Sequence, residues 1–162
     1  MANSASKKQA KSGELLVCSN PLARRNYEIE DTYEAGMMLL GSETKSLRAR
    51  KASLEGAYAT FRTGQLFLNK MYIAPYEQAT AFAHEPLRER KLLMHRHQLE
   101  KLQGRLTIRG YSLVPLRVYF KNRFAKVELG LGKGRTKGDK RQQVKRDIDR
   151  REARDAMQKY RR

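Results

Sequence analysis

The sequence predicts a mainly β fold, a small closed antiparallel barrel with short helices and a basic C-terminal tail. Short segments in which apolar and polar residues alternate recur along the chain, and turn residues separate them at hairpin spacing. A single amphipathic segment between the hairpins is long enough for a helix. The last thirty residues lack such a pattern, so we expect them to lie outside the barrel.

The N-terminal part is predicted to contain an arm, a strand and a helical turn. Residues 1–13 are rich in Ser, Ala and Lys, and they lack the apolar periodicity needed to offset the entropy of ordering. We expect a disordered basic arm there. The LLVCS segment that follows is predicted as a strand, and a helical turn is expected to begin at Pro21, because proline suits a first helical position.

A long strand and a short helix are predicted next. Tyr27, Ile29 and Tyr33 alternate with polar residues, and Gly36 is expected to mark a bend or bulge. In the TKSLRARKASL segment, Leu47 and the basic residues separate onto different sides, which is typical of a helix.

Two hairpins with a helix between them complete the barrel. The first is predicted to turn at Thr63-Gly64 and the second at Lys121-Asn122-Arg123. Between them, the RKLLMHRHQLEKLQG segment is predicted as a helix that ends at Gly104. A closed barrel removes exposed strand edges, so we favour an OB-like barrel over residues 14–132. A twisted sheet with the helix across one face remains the alternative.

The net positive charge of the chain indicates what kind of molecule it binds. The chain has 35 Lys and Arg against 17 Asp and Glu, a formal net charge of +18, and few partners other than nucleic acid suit that charge. Residues 133–162 alone carry 13 basic and 5 acidic residues, or +8. On a helix, Met157 would lie about 220° from Val144, so the tail has no continuous apolar stripe. We therefore expect this tail to be disordered when free and helical only where RNA neutralises its like charges.

Several other functions are excluded. Cys18 is the single cysteine, and no segment has the apolar length of a signal peptide or a membrane span, so a cytoplasmic protein without a membrane partner is expected. Lys133 is followed by Gly134, whereas a P-loop needs Ser or Thr at that place. His95 and His97 would point about 200° apart on a helix, which argues against a shared metal. We expect no catalytic residue, metal or cofactor.

Basic and aromatic residues interleave in a way that suits RNA, since cations bind phosphates and rings stack on unpaired bases. The acidic stretch from Glu28 to Glu34 is interpreted as a set of hydrogen-bond acceptors for Arg or for a base amino group. The interleaved residues are Arg24, Arg25 and Tyr27, and then Tyr119, Phe120, Lys121, Arg123, Phe124 and Lys126.

The chain also resembles the SmpB family, the SsrA-binding proteins of bacterial trans-translation, from about Leu16 to Arg162. Long collinear blocks carry the resemblance. They include Ala23 to Glu30, Tyr33 to Gly36, Gly41 to Ala49, Pro75 to Gln78, Arg90 to Leu93, Leu113 to Leu116, Tyr119 to Asn122, Lys126-Val127, Lys133-Gly134 and Asp139 to Arg141.

The resemblance implies an OB-like barrel that binds the tRNA-like part of tmRNA (SsrA RNA), monomeric when free. It also implies a tail that enters stalled ribosomes at the small-subunit decoding region and mRNA channel. The family's tmRNA-facing positions fall on Tyr27, Glu34, Leu93 and Lys126, to which the pattern of basic residues adds Arg24 and Arg25. Leu93 rests on the resemblance alone, since the apolar pattern predicts it as core.

The family's ribosome-contacting positions fall in the tail, on Lys133, Arg135, Lys137, Asp139, Lys140, Arg141 and Met157. The chain departs from the family at Gly138, where an aromatic residue or His is common, at Arg25, which replaces the usual His, and at Pro21-Leu22, which replaces a basic pair. The predicted function is an adaptor for tmRNA in ribosome rescue. A structural ribosomal protein, which would also be small, basic and tailed, is the alternative.

Overall fold

The computed structural model describes residues 13–78 and 83–159. The elements run in chain order as follows: β1 (Glu14–Ser19), α1 (Pro21–Asn26), β2 (Tyr27–Met37), α2 (Gly41–Arg48), β3 (Ala52–Ser53), β4 (Tyr58–Arg62), β5 (Gln65–Asn69), β6 (Tyr72–Ile73), β7 (Arg90–Leu93), α3 (Arg96–Leu106), β8 (Tyr111–Lys121), β9 (Phe124–Gly134) and α4 (Lys137–Lys159).

Six strands form a near-closed antiparallel ring in the order β8-β4-β5-β7-β2-β9, and β9 pairs back onto β8. Two of the contacts are narrow. A single residue pair, Ala59 with Leu113, joins β4 to β8, and two pairs join β2 to β7. β1 adds to the edge of β8, and β3 and β6 form a separate two-stranded sheet. The predicted mainly β fold with short helices is confirmed at this level.

Strand alternation fills the inside of the ring with aliphatic side chains. Leu66 and Leu68 of β5 are fully buried, as are Val127, Leu129 and Leu131 of β9. Leu47 of α2 and Leu102 of α3 are also fully buried in the same core. Burial of each such side chain stabilises the fold by about 1.5–3 kcal/mol.

Both predicted hairpins are present. Thr63 and Gly64 join β4 to β5 with φ of 49° and 73°. Asn122 and Arg123 join β8 to β9 with φ of 48° and 72°. Two successive residues with positive φ are typical of the tight turns that match the twist of paired strands. The second turn has two residues, one fewer than the sequence suggested.

The helix at Pro21 is also confirmed, with the side-chain oxygen of Asn20 accepting from the Ala23 N–H at 3.2 Å. The next helix, α2, begins at Gly41, earlier than predicted. The Leu40 N–H there donates to the Glu43 carboxylate at 2.8 Å, a contact that fixes the start of the helix.

The prediction of a helix from Arg90 to Gly104 is wrong at both ends. Residues 90–93 form β7, and α3 begins at Arg96 and continues past Gly104 to Leu106. The strand forms because Arg90 is fully buried and bonded to groups distant in sequence, and because Leu92 faces the core. The expected bulge at Gly36 is also misplaced, since the irregularity of β2 lies between Ile29 and Asp31.

The tail differs from the prediction of disorder in the free chain, because residues 137–159 form α4 in this structure of a single chain. Its Arg-, Lys- and Gln-rich composition has high helix propensity, which favours the helix without packing. Val144, Ile148 and Met157 are exposed on it, as expected for a helix without an apolar stripe. Residues 1–12 of the predicted arm lie outside the described residues.

Within the described residues, none of the helices combines the length and apolarity needed to cross a bilayer.

Candidate nucleic-acid interface

Three predicted RNA-binding residues meet at one end of the ring. β2 lies between β7 and β9, and Gly36 of β2 is the register partner of both Leu93 and Lys126. A Cβ atom added to Gly36 would lie 3.5 Å from the Leu93 Cβ and 3.8 Å from the Lys126 Nζ. Glu34 lies two residues along β2 from Gly36, on the same face of the strand. We call Glu34, Leu93, Tyr119, Lys121 and Lys126 the Glu34 face.

Leu93 lies on the surface, against the prediction from its apolar pattern. It is 48% exposed, whereas Leu92 is buried in the core. The alternation of β7 explains the difference, because successive side chains point to opposite sides of a strand. A large exposed apolar side chain among cations is suited to contact with the face of a base or the edge of a sugar.

Glu34 is the centre of a polar cluster. The Tyr119 hydroxyl donates to its carboxylate at 2.5 Å, and the Lys121 Nζ lies 3.4 Å from each of its oxygens. Partial burial raises the pKa of Glu34, but these hydrogen bonds and the charges of Lys121 and Lys126 outweigh it and bring the pKa below the usual value. Glu34 is therefore ionised at neutral pH, and it bonds to Lys121 and attracts the charge of Lys126.

Arg117 supports the same cluster from β8. Its guanidinium lies 4.7 Å from the centre of the Tyr119 ring, and its Nε donates to Glu128 at 2.5 Å. Burial of Tyr119 and its hydrogen bond to Glu34 raise the pKa of this hydroxyl, which remains a proton donor. The sequence analysis missed Arg117. Its position opposite Glu128 in the β8–β9 hairpin is the signal that could have found it.

A buried ion cluster holds β7 and so positions Leu93. The fully buried Glu43 carboxylate accepts from Arg88 at 2.6 and 2.9 Å and from Arg90 Nε at 2.8 Å. Arg90 also donates to the carbonyl of Met71 at 2.6 Å. Burial raises the pKa of Glu43, but the hydrogen bonds from Arg88 and the Leu40 N–H and the two guanidinium charges lower it to a value below the usual one.

Arg24, Arg25 and Tyr27 lie at the other end of β2. Tyr27 is nine residues from Gly36, about 30 Å along an extended strand, and its register partner is Gly134. The Arg135 N–H donates to the Asn26 carbonyl at 2.8 Å, which ties the start of the tail to α1. The six predicted RNA-binding residues therefore form two separate groups. We call Arg24, Arg25, Tyr27, Lys133 and Arg135 the tail-base face.

The acidic stretch of β2 behaves as the sequence predicts, as a set of acceptors for Arg. Arg105 forms ion pairs with Glu30 at 2.9 Å and with Asp31, and the Tyr111 hydroxyl donates to Glu30 at 2.7 Å. Lys133 lies 4.8 Å from the centre of the Tyr111 ring. This cluster connects the end of α3 to the start of the tail.

Of the remaining tail residues, Lys133 is part of β9 and the others follow the end of that strand. Lys133, Arg141 and Met157 are exposed, and Arg135 is half-buried. Residues 137–140, which include Lys137, Asp139 and Lys140, belong to α4, although their side chains lie outside the described residues.

The prediction for His95 and His97 is wrong in geometry. Their rings stack with centroids 5.9 Å apart, because His95 precedes the helix in an extended conformation. Even so, over residues 13–78 and 83–159 no three His, Cys, Asp or Glu side chains are placed to hold a metal ion.

Comparison with known proteins gives one consistent result. Residues 17–159 match the family model described as "SmpB protein". The SsrA-binding protein of Bacillus licheniformis is 53% identical over 137 residues, which cover 85% of this chain and 87% of the relative. That of Geobacter metallireducens is 49% identical over 145 residues, covering 90% and 95%.

A solved structure is also similar, with a TM-score of 0.64 and 46% sequence identity. The match covers 78% of this chain and 93% of the solved one, and the structure is described as "tmRNA-SmpB: a journey to the center of the bacterial ribosome".

Proposed function

This chain belongs to the SmpB family of SsrA-binding proteins, and on that premise we propose how its two faces and its tail divide the work of binding tmRNA and reaching a stalled ribosome. The protein is a non-enzymatic RNA-binding adaptor. It binds the tRNA-like domain of tmRNA and helps deliver that RNA to stalled ribosomes for tagging of nascent chains.

The Glu34 face is the principal contact with tmRNA in this proposal. The observation that carries it is the convergence of Glu34, Leu93 and Lys126 from three adjacent strands around the side-chain-free Gly36. Lys121 and Lys126 are positioned to bind phosphates, and the ionised Glu34 is able to accept from a base amino group. Leu93 offers an apolar contact between them.

The tail-base face contacts a different part of the same RNA. Because it lies about 30 Å from Gly36, an RNA that runs along β2 would reach Arg24, Arg25 and Tyr27 with nucleotides that do not touch Glu34. The tail starts beside these residues. We therefore assign the contacts nearest the ribosome to this end of the molecule.

The tail enters the small subunit at the decoding region and follows the mRNA channel. Its cations in or next to α4 would neutralise ribosomal phosphates, and Met157 near the end of the helix would make an apolar contact. The residues assigned to this role are Lys133, Arg135, Lys137, Asp139, Lys140, Arg141 and Met157.

The finer architecture and setting belong to the same proposal. The near-closed ring is an OB-like barrel over residues 14–132, preceded by a basic arm over residues 1–13 and followed by the tail over residues 133–162. The helix of the tail is stabilised on the ribosome, where RNA neutralises its like charges. The protein acts in the cytoplasm as a monomer and uses no cofactor.

Reversing one charge tests the Glu34 face. Lys126→Glu removes a phosphate attraction and adds a repulsion, so we expect tmRNA affinity to fall at least tenfold in a gel-shift assay at physiological salt. Lys145→Glu is the matched control, because it makes the same charge change on the exposed surface of α4. If both variants lose the same tmRNA affinity, the loss reflects the net charge of the protein, and the Glu34 face is not the tmRNA contact.

A further inference from the structure

A groove of about 690 Å³ lies over the narrowest seam of the ring, apart from the Glu34 face. Its walls come from α1, β4, the end of α3 and the first residues of β8. The single pair Ala59–Leu113 joins β4 to β8 at its floor. Sites for small ligands have volumes of about 300–1,000 Å³, so this groove is large enough for a group the size of a base.

The walls combine ring faces with polar groups that have no partner of their own. Tyr27, Phe61 and Tyr111 contribute aromatic surface from three different elements. The side-chain amides of Asn26 and Gln103 also line the groove, and neither makes a hydrogen bond within the part of the chain that the structure describes. An aromatic cleft with free amides at its edge matches the chemistry of a purine or pyrimidine, which has two π faces and a polar edge.

Cations lie beside two of the tyrosine rings that line the groove. The Lys133 Nζ is 4.8 Å from the centre of the Tyr111 ring, and the Lys70 Nζ is 5.8 Å from the centre of the Tyr58 ring. Arg24 and Arg25 are exposed on α1, which forms a third side. An occupant that carries phosphates next to a flat ring would therefore meet complementary charge at the rim.

We propose that this groove binds one unpaired base of the RNA that the protein holds, with Phe61 stacked on the base. The Asn26 and Gln103 amides bond to the edge of the base, and Lys70 and Lys133 bind the flanking phosphates. The inference rests on the proposed function only in taking RNA as the partner. It assigns a contact that the Glu34 face does not provide.

A fluorescent RNA tests the groove directly. The probe is a single-stranded hexaadenylate with one central 2-aminopurine, whose emission is quenched when it stacks on an aromatic ring. We expect quenching by the full chain. Gln103→Glu places a carboxylate in the groove and should weaken binding of the hexamer roughly tenfold. Gln98→Glu is the matched control, since it makes the same change on α3 outside the groove and should stay within about twofold.

Phe61→Leu separates stacking from charge. It keeps most of the side-chain volume and should cost less than about 1.5 kcal/mol of stability, which thermal unfolding would verify. We expect its complex with the hexamer to lose most of the quenching. The proposal is overturned if Gln98→Glu weakens the hexamer as much as Gln103→Glu does, or if Phe61→Leu quenches as the unaltered chain does.

Different assays test the groove and the Glu34 face. Gln103→Glu should lower tmRNA affinity in a filter-binding assay by less than Lys126→Glu does, because it removes one base contact only, and Lys126→Glu should still quench the hexamer. Loss of quenching in Lys126→Glu would place the hexamer on the Glu34 face and contradict the groove. An unchanged tmRNA affinity in Lys126→Glu would contradict the proposed function alone.

Discussion

The Glu34 face and α4 both present cations to RNA, but they hold them in different ways. At the Glu34 face, one ionised carboxylate bonds to Lys121 and Tyr119 and also attracts the charge of Lys126. Within the described side chains of α4, no ion pair is found, and Val144, Ile148 and Met157 are exposed.

The difference indicates what each region can recognise. Cations fixed by strand register and by a shared carboxylate keep one geometry, so they suit an RNA of defined shape. Cations along a helix whose described side chains form no ion pair provide charge without a fixed partner, which suits a long phosphate-lined channel. Substitutions in the strand ring should therefore act through geometry, and substitutions in α4 should act through charge and helix formation.

The largest effect is expected where the geometry of the ring is anchored. Glu43→Ala leaves the buried Arg90 without its carboxylate, and breaking such a pair costs about 3–5 kcal/mol. Urea unfolding should show this loss, and at temperatures where the variant stays folded the Leu93 contact with tmRNA should weaken. Lys51→Ala breaks an exposed pair with Glu77 and should cost less than about 1 kcal/mol. Equal losses would mean that the buried cluster is not the anchor.

The same carboxylate predicts a pH dependence. Because the folded-state pKa of Glu43 lies below its usual value, its stabilising contribution is complete above the unfolded pKa of about 4.3 and is lost as the pH falls through the folded value. Thermal unfolding between pH 6 and pH 2 should show the melting temperature falling toward the acid end. The melting temperature of Glu43→Gln should fall less over this pH range. If it falls as much as that of the unaltered chain, other groups cause the acid sensitivity.

A smaller effect is expected from Glu34→Ala, and its sign is informative. The substitution makes the protein more positive, yet it frees Tyr119 and Lys121 from their common partner. We expect tmRNA affinity to fall by about 1–2 kcal/mol in filter binding. If Glu34→Ala binds tmRNA more tightly than the unaltered chain, the carboxylate only repels the RNA and the ordered cluster has no role.

The smallest effect is expected at the end of α4. Replacing Ala156 and Met157 together by Asp puts negative charge where the helix would meet ribosomal phosphates. Tagging of nascent chains in a reconstituted system should slow several-fold while tmRNA binding stays within about twofold. Replacing both residues by Gln is the control for polarity without charge. A normal tagging rate in the Asp variant would place the end of the helix away from RNA.

The sequence predicted the local features of the ring better than its long-range ones. The turns at Thr63-Gly64 and Asn122-Arg123 and the helix at Pro21 follow from residues a few positions apart. The strand β7 was missed because Arg90 is fixed by Glu43, which is 47 residues away, and no local period records that contact. The exposure of Leu93 was hidden for the same reason, since a strand with one buried and one exposed leucine was interpreted as a helix.

The sequence identified the residues of the candidate site but not how they are arranged in space. Glu34, Leu93 and Lys126 do converge, but Arg24, Arg25 and Tyr27 lie at the opposite end of β2, because a strand of eleven residues separates its ends by about 30 Å. The groove beside Tyr27 was not foreseen, since it depends on which strands close the ring. The helical state of α4 was underestimated because its helix propensity was weighed only against its lack of packing.

Removing the tail tests most directly whether the two regions have separate roles. A protein that ends at Thr136 keeps β9 and the Tyr27–Gly134 pairing intact and lacks α4. Its tmRNA affinity and its support of tagging on stalled ribosomes should be measured side by side. We expect affinity within a few-fold of the full chain and tagging reduced to background. Normal tagging, or the loss of both activities together, would contradict the separation of RNA binding in the ring from ribosome engagement by the tail.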